Sequence, residues 1–433
     1  VRAPWQHEPD PGGAIPSQAK WSRVPAVHPF RAWRPRPELA TDVASPPYDV
    51  ISTAEARAMA AGNPVSFLHV TRPEIDLPET IDEHSDEVYR QGRRAWDQLR
   101  HHGVFVCDER PVYTVYRQQM GDVVQVGIVG LVDVDDYASG LIRKHELTRP
   151  DKEDDRTRHI EALDAHDEPV FLIHPHDDGL QATLEFVMSV APDVHFTTSD
   201  GIDHTLWTVM DPTVIERIAA AFQGMKALYI ADGHHRSAAA QRLRDDRLRR
   251  GEPIDEADRF LAVVFAEDRL HVMPYNRVVA DLQGRTPAEL LDELRRSFDL
   301  SSSDTPVAPH ERHVFGVYLD GQWWRASVRP DLVDETSPTA RLDVSVLQDV
   351  VLAPLLGIAD PRTDARIAFV GGIRGTDELK RLVDSGEFAI AFSLCATSVR
   401  DLQELADAGQ IMPPKSTWFE PKLRSGLFVH ALD

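Results

Sequence analysis

At 433 residues, 42% of them hydrophobic and 27% charged, the chain has material for more than one hydrophobic core and the balance of a folded globular protein. Forty-seven Lys and Arg stand against 70 Asp and Glu, a formal net charge of −23, which speaks against nucleic-acid and anionic-membrane partners because both demand basic faces. No stretch approaches the roughly 18 apolar residues of a membrane span, the start has no signal-peptide h-region, and Cys107 and Cys395 are too few for a disulfide framework, so a cytoplasmic protein is expected.

Residues 1–24, rich in Gly, Pro and charge, read as a mobile leader. After a proline-stiffened loop, "VASPPYDVIS", the stretch "TAEARAMAAGNP" predicts a short helix capped by Ser52 or Thr53, with Glu55 in its first turn. A longer amphipathic helix is predicted in "TIDEHSDEVYRQGRRAWDQLRHHG". "PVYTVYRQQM" and "VVQVGIVGLVDV" flank Gly121-Asp122 as an antiparallel hairpin. A highly charged run follows, then a buried strand in "EPVFLIHP", a helix in "DPTVIERIAAAFQGM" and a strand in "KALYI". Beyond residue 258, "DRFLAVVFAEDRLHVMPYNRVV" reads as two strands around a turn, and "TPAELLDELRRSF" as a capped helix. Strands, helices near "SVLQDVVLAPLL", "GTDELKRLVDSG" and "SVRDLQELADAG", and a Pro-rich end complete the chain. Without a regular βαβ beat, this order predicts an α+β fold of mixed, largely antiparallel sheets with flanking helices. The domains expected are a nucleotide- or phosphate-binding catalytic domain over 25–280 and a C-terminal α+β domain over 281–433 that completes the substrate site.

The densest chemistry lies in "YIADGHHRSAAAQRL", residues 229–243. A strand runs into a sharp turn at Gly233 and then a helix, so free N–H groups and the positive helix end make an anion site from backbone alone. His234, His235 and Arg236 add side-chain donors, at the helix end where acids rather than cations favour stability. A bound anion accounts for that choice. The alternatives are that Asp232 is a helix cap with packed histidines and a paired Arg236, or that zinc binds here. Adjacent histidines point to different helix faces, however, unlike the i, i+4 pair that binds zinc.

The runs "PPYDVIS", "GNPVSFLHVTRPEIDLP", "IRKHELTRPDKEDDRTRH", "YIADGHHRSAAA", "DPRTDARIAFVGGIRG" and "MPPKSTWFEPKLRSGLFVH" resemble the family catalogued as domain of unknown function 1015, from about residue 26 to the end. The segment "ADGHHRSAAA" also resembles the phosphate-binding box of ParB/sulfiredoxin-like nucleotide-binding proteins, particularly the free L-serine kinases, whose His-Glu pair is matched by "IRKHELT". That resemblance implies a ParB/sulfiredoxin-like core and a kinase making O-phosphoserine from free L-serine, or from a close hydroxy amino acid, with ATP or ADP as donor. It implies Glu146 as base, His145 beside it, Asp232 as companion acid, and Gly233, His234, His235, Arg236 and Ser237 as the nucleotide-phosphate cradle.

Phosphoryl transfer needs positioning and charge neutralisation, with Mg²⁺ bridging oxygens and a carboxylate taking the alcohol proton. In "KHELTRPDKEDDRTRH", Lys152 or Arg156 is expected to face phosphate and Glu153 or Asp155 to hold Mg²⁺; the alternative is a solvated charged helix. "PPKSTWFEPKLRSG" offers Lys415, Ser416 and Thr417, with Lys422 and Arg424, on a stiff loop suited to a carboxylate or phosphate. Arg374, beside the glycines of "FVGGIRG", joins them as a substrate contact, as do Tyr48 and Asp49, suited to an amine or ribose or forming a rigid turn. The partners expected are therefore a hydroxy amino acid and a nucleotide, with no nucleic acid, no membrane and a possible homodimer. Two other functions share the same residues: a phosphoserine phosphatase, and a non-catalytic ParB-like nucleotide-binding switch.

Overall fold

The computed structural model describes residues 24–433; the expected leader, apart from Val24, lies outside the described residues. The fold is α+β, as the irregular order of elements predicts. The hairpin forms as expected, with Tyr113–Met120 and Val123–Asp133 in register from Met120↔Val123 to Thr114↔Val129 around the Gly121-Asp122 turn. It anchors a nine-stranded sheet. Across it the order is Ile142–Arg143, Leu228–Asp232, Val170–His174, Arg259–Ala266, Val123–Asp133, Tyr113–Met120, Asp203–Val209, Val194–Thr197, with Val27–His28 added beside Val123–Asp133. Two of its pairings, Leu228–Asp232 with Ile142–Arg143 and Arg259–Ala266 with Val170–His174, are parallel, and the others antiparallel.

Strand alternation sorts this sheet into two faces. Leu228 and Ile230 join Leu172, Val264, Ile218 and Phe222 under the helices Asp178–Met188 and Pro212–Gln223. Tyr229 and Ala231 point the other way, into a cluster with Phe171, Val263 and Phe265 that continues through Phe315, Val317 and Phe392 of a second sheet. That second sheet is six-stranded and wholly antiparallel, in the order Phe298–Ser303, Gln322–Val328, Val314–Leu319, Ile390–Ser393, Tyr275–Val279, Ile367–Gly371. Helix Pro287–Leu294 beside it carries a Thr286–Glu289 capping box, and helix Thr53–Ala60 carries one between Ser52 and Glu55.

The stretch expected to be two strands around a turn is three strands in three sheets. Arg259–Ala266 belongs to the large sheet, His271–Met273 pairs with Trp418–Glu420, and Tyr275–Val279 lies in the second sheet. Pro274 separates the last two, and having no N–H it cannot carry a ladder through. Tyr275–Val279, which an expected boundary at 280 places in the first domain, thus pairs within the second sheet. The chain end returns to the large sheet. Gln118 and Gln125 donate side-chain N–H groups to the carbonyls of Lys422 and Pro421 at 2.8 and 2.9 Å, Ser45 bridges Ser425, and His430–Ala431 pairs with Ala165–His166. Phe419, Leu423, Leu427 and Phe428 join the same cluster as Tyr229 and Ala231, so the chain end lies across that face of the sheet, and Lys422 reaches Asp232 at the end of the Leu228–Asp232 strand.

Candidate functional site

Four apolar residues carry the Leu228–Asp232 strand through the core, and the chain turns at Gly233, whose φ of +99° lies in the left-handed region. Helix His234–Arg250 begins immediately, its first bond running from Ser237 N–H to the Gly233 carbonyl at 2.9 Å. Helical geometry leaves the backbone N–H groups of residues 234–236 without intrahelical acceptors. No side chain caps this end. The turn is thus an array of backbone donors at the positive end of a 17-residue helix, as an anion site requires.

The charges around it differ from the expected row of cations. His145 and Arg149, on the loop ahead of helix Pro150–Leu163, donate backbone N–H groups to Nε2 of His234 and His235 at 3.4 and 3.1 Å. A ring nitrogen that accepts a backbone N–H carries a lone pair, so both imidazoles are neutral in this arrangement. Burial holds both below the usual histidine range, and neighbouring His145 adds to the effect at His234. Their work here is to hold the 145–149 loop over the turn. Arg236 keeps its charge but lies beneath the turn, 8% exposed, donating to the Pro169 carbonyl and standing 3.6 Å from Asp232. Ser237, fully buried, donates its hydroxyl to the Gly233 carbonyl at 3.2 Å.

Two further cations, Lys415 and Lys422, come from the chain end. Lys422 Nζ donates to Asp232 Oδ2 at 2.9 Å and lies 4.7 Å from the Trp418 ring centre. Burial alone would raise the Asp232 pKa; Lys422 and Arg236 more than offset it and hold this carboxyl well below the usual range. At Lys422 burial acts to lower the pKa, and Asp232, Asp49 and Glu420 overcome it. Lys415 stands at the rim, its Nζ 5.5 Å from the Tyr275 ring centre. Glu146 faces this group: burial pushes its carboxyl up, Lys415 opposes that, and Asp232 and Asp49 add to it. One ligand atom from each of His145, Glu146 and His234 lies within 4.8 Å of the other two. The structure therefore brings together Glu146, Asp232, His234 and Lys415 from three distant parts of the chain, with Asp49, exposed, in electrostatic reach of Glu146, His235 and Lys415.

Other expected site residues are engaged elsewhere. Arg156 is buried, grips Asp155 Oδ2 through Nε and one terminal nitrogen at 3.0 and 2.7 Å, and stacks 3.9 Å from the Tyr48 ring centre. Its remaining nitrogen is buried without a partner, and Arg156 lines a small cavity of about 10 Å³ with His159, His166, Asp167, Glu168 and Arg236. Asp155 Oδ1 accepts from the Tyr89 hydroxyl at 2.8 Å and pairs with His84 Nδ1 at 3.0 Å. With both oxygens engaged, Asp155 does not fit the role of an Mg²⁺ ligand; Glu153 is half-buried and shares one oxygen with the Thr148 hydroxyl at 3.0 Å. Tyr48 is a buried prop whose N–H donates to Glu168 Oε1 at 3.1 Å. Ser416 donates its hydroxyl to the Pro413 carbonyl at 2.7 Å, closing a turn rather than facing a ligand. Lys152 and Thr417 are half-buried, and Arg374 is exposed at the turn Gly372–Arg374, its field reaching Glu55 and Glu378.

Among the described residues no helix is long and apolar enough to cross a membrane. A family model described as a protein of unknown function, DUF1015, matches residues 27–345. The chain belongs to that family. No curated protein matches it significantly in sequence. Among solved structures, it is similar to a conserved hypothetical protein from Pyrococcus furiosus, with 14% identity, a TM-score of 0.34, and coverage of 69% of this chain and 93% of the other. It is likewise similar to a free serine kinase in complex with AMP, with 12% identity, TM-score 0.34, and 67% and 86% coverage. A third, SbnI with C-terminal truncation from Staphylococcus aureus, gives 12% identity, TM-score 0.35, and 69% and 85% coverage.

Proposed function

We propose that the protein is a nucleotide-dependent kinase that phosphorylates the hydroxyl of free L-serine or a close hydroxy amino acid. The observation that carries this reading is the position of Glu146, its carboxylate within 4.8 Å of a ring nitrogen of His234, the first residue of the helix after the Gly233 turn. A carboxylate beside an array of backbone donors is the pairing that phosphoryl transfer asks for, a proton acceptor next to a phosphate cradle.

In this reading the N–H groups of residues 234–236 hold the phosphates of ATP or ADP, and Lys415 and Lys422 balance their charge. Mg²⁺ brought by the nucleotide would supply further charge neutralisation. The amino acid lies between Asp49, suited to its ammonium group, and Lys415, suited to its carboxylate. Its hydroxyl oxygen bonds to the terminal phosphorus as the bond to the bridging oxygen breaks, the hydroxyl proton passes to Glu146, and the shortened nucleotide leaves. Asp232 keeps Lys422 charged and in place.

The test is phosphorus NMR of the full chain with Mg²⁺ and ATP or ADP against serine, threonine and homoserine. A phosphomonoester signal is expected with one of them, and Glu146→Gln should lower its rate of appearance by about 100-fold or more with nucleotide affinity retained. Absence of any phosphomonoester, or full turnover in Glu146→Gln, would overturn the reading.

A further inference from the structure

Base chemistry at Glu146 leaves His145 unexplained. Its imidazole is 2% exposed, that of His234 is 5% exposed, and the two rings meet edge to face with centres 4.4 Å apart. His145 Nδ1 is buried with no hydrogen-bond partner, a situation that costs on the order of 1–3 kcal/mol unless something meets the nitrogen. The ring lies against the Ile230 carbonyl, the kind of outer contact that orients metal-binding histidines. With Glu146, these residues present two imidazole nitrogens and a carboxylate oxygen within 4.8 Å of one another.

We propose that His145, Glu146 and His234 form a binding site for a divalent transition-metal ion of the zinc class, with a further coordination position left for an exogenous ligand. Two nitrogens and one oxygen suit Zn²⁺, Co²⁺ or Ni²⁺, whereas Mg²⁺ and Ca²⁺ take oxygen ligands. Three protein ligands and one free position are the arrangement of zinc sites that admit an exogenous ligand. Bonds of about 2.0–2.2 Å place tetrahedral ligand atoms roughly 3.3–3.6 Å apart, so the cluster tightens by about 1 Å on loading. With Nε2 of His234 accepting the His145 N–H, Nδ1 carries the ring proton, so His234 offers a lone pair to the ion only when that long 3.4 Å contact gives way or the tautomer changes; the 145–149 loop is the part that shifts on loading. Asp232 and Asp49 supply negative charge that offsets the positive helix end, since both act electrostatically on Glu146. The proposal does not rest on the kinase reading. Where both hold, a carboxylate that binds the ion cannot also take the hydroxyl proton, so one equivalent of Zn²⁺ suppresses the transfer that Mg²⁺ supports.

The test uses the full chain, stripped of metal by chelator and free of nucleotide and amino acid, titrated with Co²⁺ by visible absorption and with Zn²⁺ by calorimetry. One equivalent is expected to bind with a dissociation constant of about 1 μM or tighter. His145→Ala and His234→Ala should each weaken binding by about 100-fold, and His235→Ala by less than about threefold. Glu146→Gln, nearly isosteric, should weaken it by about tenfold or more, and it decides the matter if the histidine variants do not fold. Binding no tighter than about 1 mM, or affinity unchanged in Glu146→Gln, would overturn the site whatever the phosphorus NMR shows.

Discussion

Gly233→Ala tests the turn on which the site depends. At φ +99° an L-residue pays about 1–2 kcal/mol in backbone conformation. A Cβ built there would lie 3.1 Å from Arg236 Nε and 3.2 Å from both its Cζ and a terminal nitrogen. The guanidinium must give by a few tenths of an ångström, and although a small cavity lies beside it, its bond to the Pro169 carbonyl resists the shift, so overpacking adds about 1–3 kcal/mol. The expected loss is therefore about 2–5 kcal/mol in urea unfolding. A double-mutant cycle separates the two parts: in an Arg236→Ala background the clash is gone, and Gly233→Ala should cost only the backbone share. Nucleotide affinity should fall at least about tenfold in the single variant, since reorienting the 234–236 donors needs to cost only about 1.4 kcal/mol to do so. A cost below about 1 kcal/mol, or the same cost in both backgrounds, would refute this account of the turn.

Lys422→Met removes the 2.9 Å partner of Asp232 and leaves Arg236 at 3.6 Å. Because the two side chains are 15% and 24% exposed, the stability cost expected is about 1–3 kcal/mol, below that of a fully buried pair. Phosphoryl transfer should fall by about 100-fold; unchanged turnover would remove Lys422 from the site. At the far end of the second sheet, burial pushes the Asp343 carboxyl up to about 6, and neighbouring Asp401 adds to this against His313 and Arg312. A folded-state pKa above the unfolded value of about 3.8 means that stability is fully present at low pH and lost as pH rises through about 6. Asp343→Asn keeps an acceptor for the His313 N–H, so its stability relative to wild type should improve by up to about 3 kcal/mol between pH 4 and pH 7. A flat difference across that range in urea unfolding would show that the carboxyl is ionised throughout.

Local patterns were legible where local physics decides. The hairpin around Gly121-Asp122, the Ser52 and Thr286 caps, and the strand-turn-helix at Gly233 all follow from periodicity and residue type within a dozen positions. The charged run 144–159, expected to face phosphate and Mg²⁺ or, in the alternative, to form a solvated helix, holds the start of helix Pro150–Leu163, which has two different surfaces. Asp155 and Arg156 are consecutive, yet both are turned inward to Tyr89 and Tyr48, partners some 66 and 108 positions away. No pattern internal to the helix distinguishes them from solvated charges. The three-sheet division of 259–279 was hidden for the same reason, because His271–Met273 finds its ladder only in residues 418–420.

The histidines show most clearly what a motif leaves out. Two imidazoles and a guanidinium at a positive helix end look unfavourable when counted as three cations. Backbone donors from residues 145 and 149 make the imidazoles neutral acceptors, and Arg236 is compensated by Asp232 and Glu168, so the conflict disappears before any ligand is considered. The donors left for an anion are the backbone N–H groups of the turn and the two lysines of the chain end. Those lysines arrive only when residues 412–431 are docked, by the Met412 N–H to His145 carbonyl bond at 2.7 Å and the glutamine contacts at 421 and 422. The docking bond at Met412 is made to the same loop that carries Glu146. The carboxylate and its balancing cations are thus positioned by one set of contacts, and displacing the chain end would take both from the turn together.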